Sequence, residues 1–473
     1  MKKIDWRELL VCDISEMERN IYKMELKDKK VMVVGTGISG VGAAKLLNNI
    51  GARVVLYDGN EKLTESDVLY KLEGSKAEII IGELEECVVK SIDLVVISPG
   101  VPIDSDIVLR FEKANIPVWG EIELAYNYDK GRIIAITGTN GKTTTTALVG
   151  QIIKAYNKET FVVGNIGNSY TGEVLKTSKN SITVAEISSF QLETTHKFKP
   201  AISAILNITP DHLNRHKTME NYAFTKENIA INQTKNEICI LNYDDPILRE
   251  YAKTTTAKPI YFSRLEIPEI GSFMDGDIIK YTDGKTIETI CDVNNMKLIG
   301  AHNYENVMAA VAIAKAAQIP TDIIVTEILK FNAVEHRIEY VATKNGVMYY
   351  NDSKGTNPEA AVKAIEAMTR PTILIGGGYD KKSQFDLYVK AFEGKVKLLV
   401  LIGQTRELIA ETARKYGFNN IIMADSLQEV IKICTEHAVA GDAVLLSPAC
   451  ASWGMFDNFE QRGDLFKEYV NLI

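Results

Sequence analysis

The chain has 473 residues, 46% hydrophobic and 25% charged, which is the composition of a globular protein of several domains and excludes a disordered or fibrous one. Its net charge is −8 with no basic block, so nucleic acid is excluded as the main partner and any anionic substrate has to be held by local positive groups. No apolar run reaches the roughly eighteen residues of a membrane span, Asp5, Glu8 and Asp13 interrupt the start where a secretion signal would be apolar, and six scattered cysteines without metal-ligand spacing read as reduced core thiols of a cytoplasmic protein.

Residues 1–28 read as a polar, weakly helical extension. From "KKVMVVG" the pattern becomes strand, glycine turn, helix and strand, with Ala43, Leu46, Leu47 and Ile50 on one helical face and "ARVVLYD" as the next strand. "DLVVISPGVP" is a buried strand running into a loop, and this first unit closes near "IPVWGEIEL". A second strand–turn–helix opens at "GRIIAITGTNGKT" and continues through the buried strands "SITVAEISS" and "AISAILNIT", which implies a mostly parallel sheet. Short β-rich pieces around Asp275-Gly276 and Asp283-Gly284 read as appended hairpins. "NYENVMAAVAIAKAA" is a helix with Asn303 expected at its N-cap. A third unit starts near "VEHRIEYV" and carries the strands "TILIGGGYD", "VKLLVLIG" and "DAVLLSP". The fold class is therefore α/β in three domains, 1–121, 122–333 and 334–473, with the special residues gathered at strand carboxyl ends, where open α/β sheets bind ligands.

Two glycine loops carry the chemistry. Gly35, Gly37 and Gly40 follow a strand and open a helix, and Asp58 ends the next strand 21 residues after Gly37. That is a dinucleotide fingerprint: backbone N–H groups for a diphosphate and an acid for a sugar or base. NAD is the obvious ligand on pattern alone, although nothing else in the chain resembles a hydride-transfer site, and a ligand-free tight turn is the bland alternative. The second loop, "TGTNGKTTTT", departs from G-x-x-x-x-G-K-[ST], because Ile136 stands where the first glycine belongs. The mechanics survive: Gly138, Thr139, Asn140 and Gly141 form the turn, Lys142 supplies a cation, and Thr143 and Thr144 open the helix, so the loop reads as a nucleotide-phosphate site with a hydroxyl for Mg2+. Glu186, ending the strand in "SITVAEISS", stands where a Mg2+ carboxylate belongs.

Eight blocks in order, "TGTNGKTTT", "GNIG", "EISSFQLE", "LNITPDHLNRH", "HNYENVMAA", "EHRIE", "NDSKGTNPEA" and "SPACASWGMFDNFEQRGDLF", resemble the Mur ligases over roughly residues 29–470. These are ATP-dependent amide-bond ligases that build the peptide stem of peptidoglycan, and the C-terminal blocks are most similar to the member that adds D-glutamate. The resemblance implies a Rossmann-like N-terminal domain, a central P-loop ATPase-like domain and a Rossmann-like C-terminal domain. It implies UDP-N-acetylmuramoyl-L-alanine, D-glutamate and ATP as substrates, two Mg2+ ions, and a monomer. The first loop would then hold the uridine diphosphate of the substrate rather than NAD, through Ile38, Ser39, Asp58, Ser98 and Asn165. Lys142, Thr143, Glu186 and His212 would serve ATP and the metals. Asn303 and Asn306 would contact the adenine side, and Arg337 and Asp352 the phosphates and ribose. Lys354, Thr356, Lys381, Ser452 and Phe459 would shape the D-glutamate pocket; of Lys381 and Lys382, Lys381 keeps the family spacing to Phe385. Lys226 looks like an ordinary helix lysine by its residues alone, and the resemblance makes it a CO2-derived carbamate that ligates Mg2+. Asn228 departs from the arginine that the family often carries two residues after that lysine.

Overall fold

A computed structural model describes residues 24–165, 168–332 and 334–473. The extension up to residue 23, the second half of the "GNIG" block and the domain boundary expected at residue 333 lie outside the described residues. Three sheets follow one another along the chain. The first is wholly parallel and consists of β1 (Lys30–Val34), β2 (Arg53–Asp58), β3 (Glu78–Ile81), β4 (Leu94–Ile97) and β5 (Val118–Gly120), in the order β3-β2-β1-β4-β5. The order reverses beside β1, so the loops after β1 and β4 flank one crevice at the strand carboxyl ends.

The central sheet has nine strands: β6 (Arg132–Thr137), β7 (Thr160–Gly164), β8 (Ile182–Glu186), β9 (Ile202–Ile205), β10 (Ile238–Asn242), β11 (Lys258–Ser263), β12 (Gly271–Asp275), β13 (Ile278–Thr282) and β14 (Ile287–Asp292). In the order β14-β13-β12-β11-β10-β9-β6-β8-β7, β6 lies between β8 and β9. The loops after those three strands, "GTNGKT", "ISSF" and "LNIT", therefore emerge side by side. β12 and β13 pair antiparallel across the Asp275-Gly276 turn, which is the first expected hairpin. The third sheet comprises β15 (Glu339–Lys344), β16 (Val347–Asn351), β17 (Thr372–Gly376), β18 (Val396–Leu401), β19 (Ile421–Met423) and β20 (Ala443–Leu446), ordered β15-β16-β20-β17-β18-β19. Here the loops after β16, β20 and β17 are neighbours.

The first two sheets form one compact unit, up to Ile290 together with Asn306–Val325; the third sheet forms a second with Cys291–Glu305 and Thr326–Ile473. In the first unit one apolar core runs through both sheets, from Val31, Leu46 and Leu47 to Leu124, Ala135 and Val163, and another, around Met32, Val95 and Phe111, covers the other face of the first sheet. Leu26 is buried in that core, and the backbone of Met24 exchanges two hydrogen bonds with the Asn127 side chain, so the end of the expected polar extension is docked structure. The helix Ala301–Ala316 starts two residues before Asn303, so Asn303 is not its N-cap. Its amide lies inside the first turn and donates back to the Ile299 carbonyl at 2.8 Å. Gly300, at φ +95°, has already turned the chain, so the helix starts directly after it. No helix among the described residues is long and apolar enough to cross a membrane. Cys239, Cys291, Cys434 and Cys450 are buried free thiols as expected, whereas Cys87 is exposed.

Buried Asp129 ties the start of the central sheet together. It accepts from the Tyr170 and Thr183 hydroxyls, each at 2.8 Å, and from the Gly131 N–H at 2.7 Å. Asp129→Ala withdraws that acceptor from three donors at once and is expected to destabilise the first unit by about 3 kcal/mol, read as a lower midpoint in urea; an unchanged midpoint would mean the network contributes nothing.

Candidate active site

The first glycine loop is built for close approach. A side chain at Gly40 would place its Cβ 1.9 Å from the Gly35 carbonyl oxygen, so only glycine lets the helix Ile38–Asn49 begin this near the strand end. Ile38 projects into solvent at 86% exposure and Ser39 is half-buried. The Ser98 hydroxyl, on the loop after β4, is buried beside Gly35 and Gly40 with no hydrogen-bond partner. Native structures rarely leave such a group orphaned; this one faces the crevice in which a diphosphate would sit. Asp58 is already engaged: Oδ2 accepts from the Thr36 N–H at 3.0 Å and its hydroxyl at 2.7 Å, and Oδ1 from the Asn60 N–H at 3.0 Å. Its carboxylate therefore shapes the loop.

In the second loop Gly141 adopts φ +84°, and a Cβ there would fall 2.1 Å from the Asn306 side-chain oxygen. The helix Lys142–Tyr156 then aims its N-terminus at the turn, with Thr143 half-buried and Thr144 buried in the first turn. Thr139 anchors the loop: its N–H donates to the Asn207 carbonyl, and its hydroxyl meets the Thr209 backbone and the Tyr222 hydroxyl. Asn140 and Asn207 exchange two hydrogen bonds. Lys142 curls onto its own loop, donating to the carbonyls of Gly138 and Thr139, both at 2.9 Å.

Lys226, only 1% exposed, donates to the same Gly138 carbonyl at 2.9 Å. Burial, and secondarily the Lys142 cation, push its pKa down to about 7. Tyr222 lies one helical turn before it, with its ring 4.6 Å from the ammonium. Glu186, also 1% exposed, accepts from the Asn165 amide at 3.1 Å through Oε1, while Oε2 is buried with no partner. An ionised carboxylate oxygen out of water is costly unless something positive meets it. This vacant acceptor, at the end of the strand paired with the one that leads into the glycine loop, suits a hard cation that prefers oxygen, which is the fit that Mg2+ requires. His212 is exposed in a left-handed turn, its ring 4.9 Å from that of Phe190 and Nε2 3.5 Å from Asp211.

Sequence reading passed over a buried cluster directly after His212. Arg215 pairs with Glu193 at 2.5 Å, and His216 lies 3.5 Å from Glu193 and 3.0 Å from the Ser189 hydroxyl. Burial, partly opposed by Glu193, holds the His216 pKa below the ordinary histidine value.

In the second unit Asp352 is buried at the end of β16. It accepts from the Ser447 hydroxyl at 2.7 Å and the Ile338 N–H at 3.2 Å, and burial pushes its carboxyl up to about 7. Arg337 is exposed in the preceding loop and acts on Asp352 through its charge. The Lys354 ammonium lies 5.5 Å over the Phe459 ring, and Thr356 donates its N–H to the Lys354 carbonyl. The Lys381 ammonium lies 5.0 Å over the ring of Trp453, which follows buried Ser452, whereas Lys382 sits at φ +62° on the next residue. A residue missed from sequence organises this end: buried Arg462 donates to the Ser353 hydroxyl and carbonyl and to the Cys450 carbonyl. It thereby ties the "NDSKGTN" loop to the "SPACAS" loop, and burial lowers its pKa to about 10.

A glycine-rich loop at the switch point among the parallel strands of a mixed sheet, with a buried lysine and a buried carboxylate of unmet acceptor capacity, marks a nucleotide-using α/β enzyme. The comparisons with known proteins narrow that class. Residues 29–120 match the Mur ligase MurD-like N-terminal domain, 136–314 the Mur ligase middle domain and 336–450 the Mur ligase glutamate ligase domain. A UDP-N-acetylmuramoylalanine–D-glutamate ligase from Lachnospira eligens is 69% identical over 95% of this chain and 100% of its own length. The protein of that name from Lachnoclostridium phytofermentans is 55% identical over 95% and 99%. Among solved structures, the UDP-N-acetylmuramate–alanine ligase of Thermotoga maritima has the same fold, with a TM-score of 0.58 at 17% identity over 94% of this chain and 99% of that one. The chain belongs to the Mur ligase family.

The raised pKa of Asp352 has a consequence for stability. In the unfolded chain its carboxyl gives up a proton near 3.8, in the folded one only near about 7. Between those values the folded state holds the extra proton, so the stability this group contributes is complete below 3.8 and is lost as pH rises through about 7. Asp352→Asn should therefore gain in melting temperature relative to the parent on going from about pH 5 to about pH 8; a constant difference between the two proteins would show that the carboxyl does not titrate in that window.

Proposed function

We propose that this protein joins D-glutamate to UDP-N-acetylmuramoyl-L-alanine at the expense of ATP, giving ADP and phosphate in peptidoglycan precursor synthesis. What carries the reading is the unbroken match, over 95% of the chain, to relatives named for that reaction. The substrates are nucleotides and amino acids of the cytoplasm, which is where the protein would work. The proposed active form is the monomer that the resemblance implies.

The first loop holds the uridine diphosphate: N–H groups at the start of the helix Ile38–Asn49 and the Ser98 hydroxyl meet the phosphates, and Asp58 and Asn165 flank them. The second loop holds ATP, with Asn303 and Asn306 on the adenine side and Arg337 and Asp352 toward the phosphates and ribose. The substrate carboxylate attacks the γ-phosphate, ADP departs, and an acyl phosphate remains. The D-glutamate amine then adds to the acyl carbon, and phosphate leaves the tetrahedral adduct as the amide forms. The first step sets an anion against a polyanion; two like unit charges about 4 Å apart repel by roughly 4 kcal/mol at an effective dielectric of 20. Lys142, swinging off its own carbonyls, and the loop N–H groups offset that repulsion. Thr143, Glu186, His212 and carbamylated Lys226 would hold two Mg2+ ions, which supply positive charge to the phosphoryl oxygens when bound. Lys354, Thr356, Lys381, Ser452 and Phe459 receive D-glutamate, with the two lysines facing its carboxylates.

Carbamylation requires the Lys226 amine to be neutral: its nitrogen bonds to the carbon of CO2 and a proton is released. A pKa of about 7 leaves a large neutral fraction at neutral pH, so occupancy should rise as pH climbs through that value, as read by NMR with isotope-labelled bicarbonate. Lys226→Ala should lose activity and recover part of it in high bicarbonate; a folded variant with no recovery would count against a carbamate. The overall reaction is tested by phosphate release with UDP-N-acetylmuramoyl-L-alanine and ATP. Release is expected with D-glutamate, and no release, or equal release with L-glutamate, would overturn the assignment.

A further inference from the structure

We propose that Arg215 is a positioning residue that locks the loop holding the UDP substrate to the segment carrying His212. The inference rests on the assignment of those two segments made above. Its geometry lies wholly within the first unit. The Arg215 Nε donates to both Glu193 oxygens at 3.2 Å, and Nη2 donates to Oε2 at 2.5 Å. The same Nη2 reaches the Val101 carbonyl at 3.0 Å, three residues after Ser98 and 114 positions away in sequence. The guanidinium lies 5.0 Å from the centre of the Phe190 ring, which also meets the rings of His212 at 4.9 Å and His216 at 5.6 Å.

Three loops thus meet on one fork: that after β4 beside the first glycine loop, that after β8 which follows Glu186, and that after β9 which carries His212. The Arg215 and Glu193 side chains are 13% and 7% exposed. A buried ion pair of this kind recovers little net stability, because its Coulombic gain is spent on desolvation, and apolar residues would fill the space as well. What apolar residues could not do is fix direction. A planar guanidinium with two partners on one carboxylate and a third on a carbonyl holds all three segments in one register. Lysine at the same place keeps the charge and can still pair with Glu193, but a single ammonium cannot span the carboxylate and Val101 as the fork does.

The test is Arg215→Lys in the full-length protein, with calorimetric binding of UDP-N-acetylmuramoyl-L-alanine and of ADP measured separately and the melting temperature recorded. Loss of a charged hydrogen bond and of register should weaken binding of the UDP substrate by roughly tenfold or more, with ADP affinity and melting temperature close to those of the parent. Glu193→Gln, which weakens the fork from its other side, should shift the same affinity in the same direction. Unchanged binding of the UDP substrate in Arg215→Lys, or equal loss of both ligands with a lower melting temperature, would overturn the inference and leave Arg215 a structural residue. If the parent protein itself fails to bind UDP-N-acetylmuramoyl-L-alanine, the functional assignment fails first, and the inference goes with it.

Discussion

Two ammonium groups, those of Lys142 and Lys226, converge on the carbonyl oxygen of Gly138. Most of the first unit's chemistry depends on this meeting. Burial, and secondarily the neighbouring Lys142 cation, lower the proton affinity of Lys226. The loop cannot relieve the strain by moving, because Thr139 and Asn140 clamp it to the strand-end segment 207–209. The site is thus held in a shape that calls for negative charge. In the proposed reaction the triphosphate of ATP would supply it, and conversion of Lys226 from an amine to a carbamate would reverse the sign of one of the two groups. The partnerless oxygen of Glu186 states the complementary need, for positive charge, a strand away.

In the second unit burial shifts two groups of opposite sign, each partly opposed by the other's charge. Asp352 is buried and its carboxyl is reluctant to ionise, while Arg462, equally buried, has a weakened hold on its own proton. Arg462 spends its donors on backbone and hydroxyl groups of the loops after β16 and β20. A substrate amino acid with two carboxylates would find those loops already shaped, with Lys354 and Lys381 held against Phe459 and Trp453. Polar groups organised in advance cost little reorganisation at the moment of reaction.

Much of this was legible in the chain. Glycines and prolines mark strand ends, so the loops after β1, β4, β6 and β17 could be read as ligand loops before any strand order was known. The order itself was not readable, yet it is what brings Ser98 beside Gly35 and the "EISSF" and "LNIT" segments beside the phosphate loop. Lys226 was opaque to pattern because its meaning lies in burial and in a carbonyl 88 positions away; only the family resemblance singled it out. Arg215, Glu193 and Val101 were invisible for the same reason, since no local spacing encodes a contact over 114 positions. Asn303 misled because an asparagine before an apolar helix is a good cap in general, whereas here Gly300 had already turned the chain.

The central claim is that ATP is spent by transferring its γ-phosphoryl group to the carboxylate of UDP-N-acetylmuramoyl-L-alanine. It is tested most directly by placing heavy-isotope oxygen in that carboxylate and weighing the phosphate released during turnover with D-glutamate. An acyl phosphate passes one labelled oxygen to each phosphate when the amine displaces it, so labelled phosphate is the expected result. Unlabelled phosphate accompanying amide formation would mean that ATP is cleaved by water and would contradict the account.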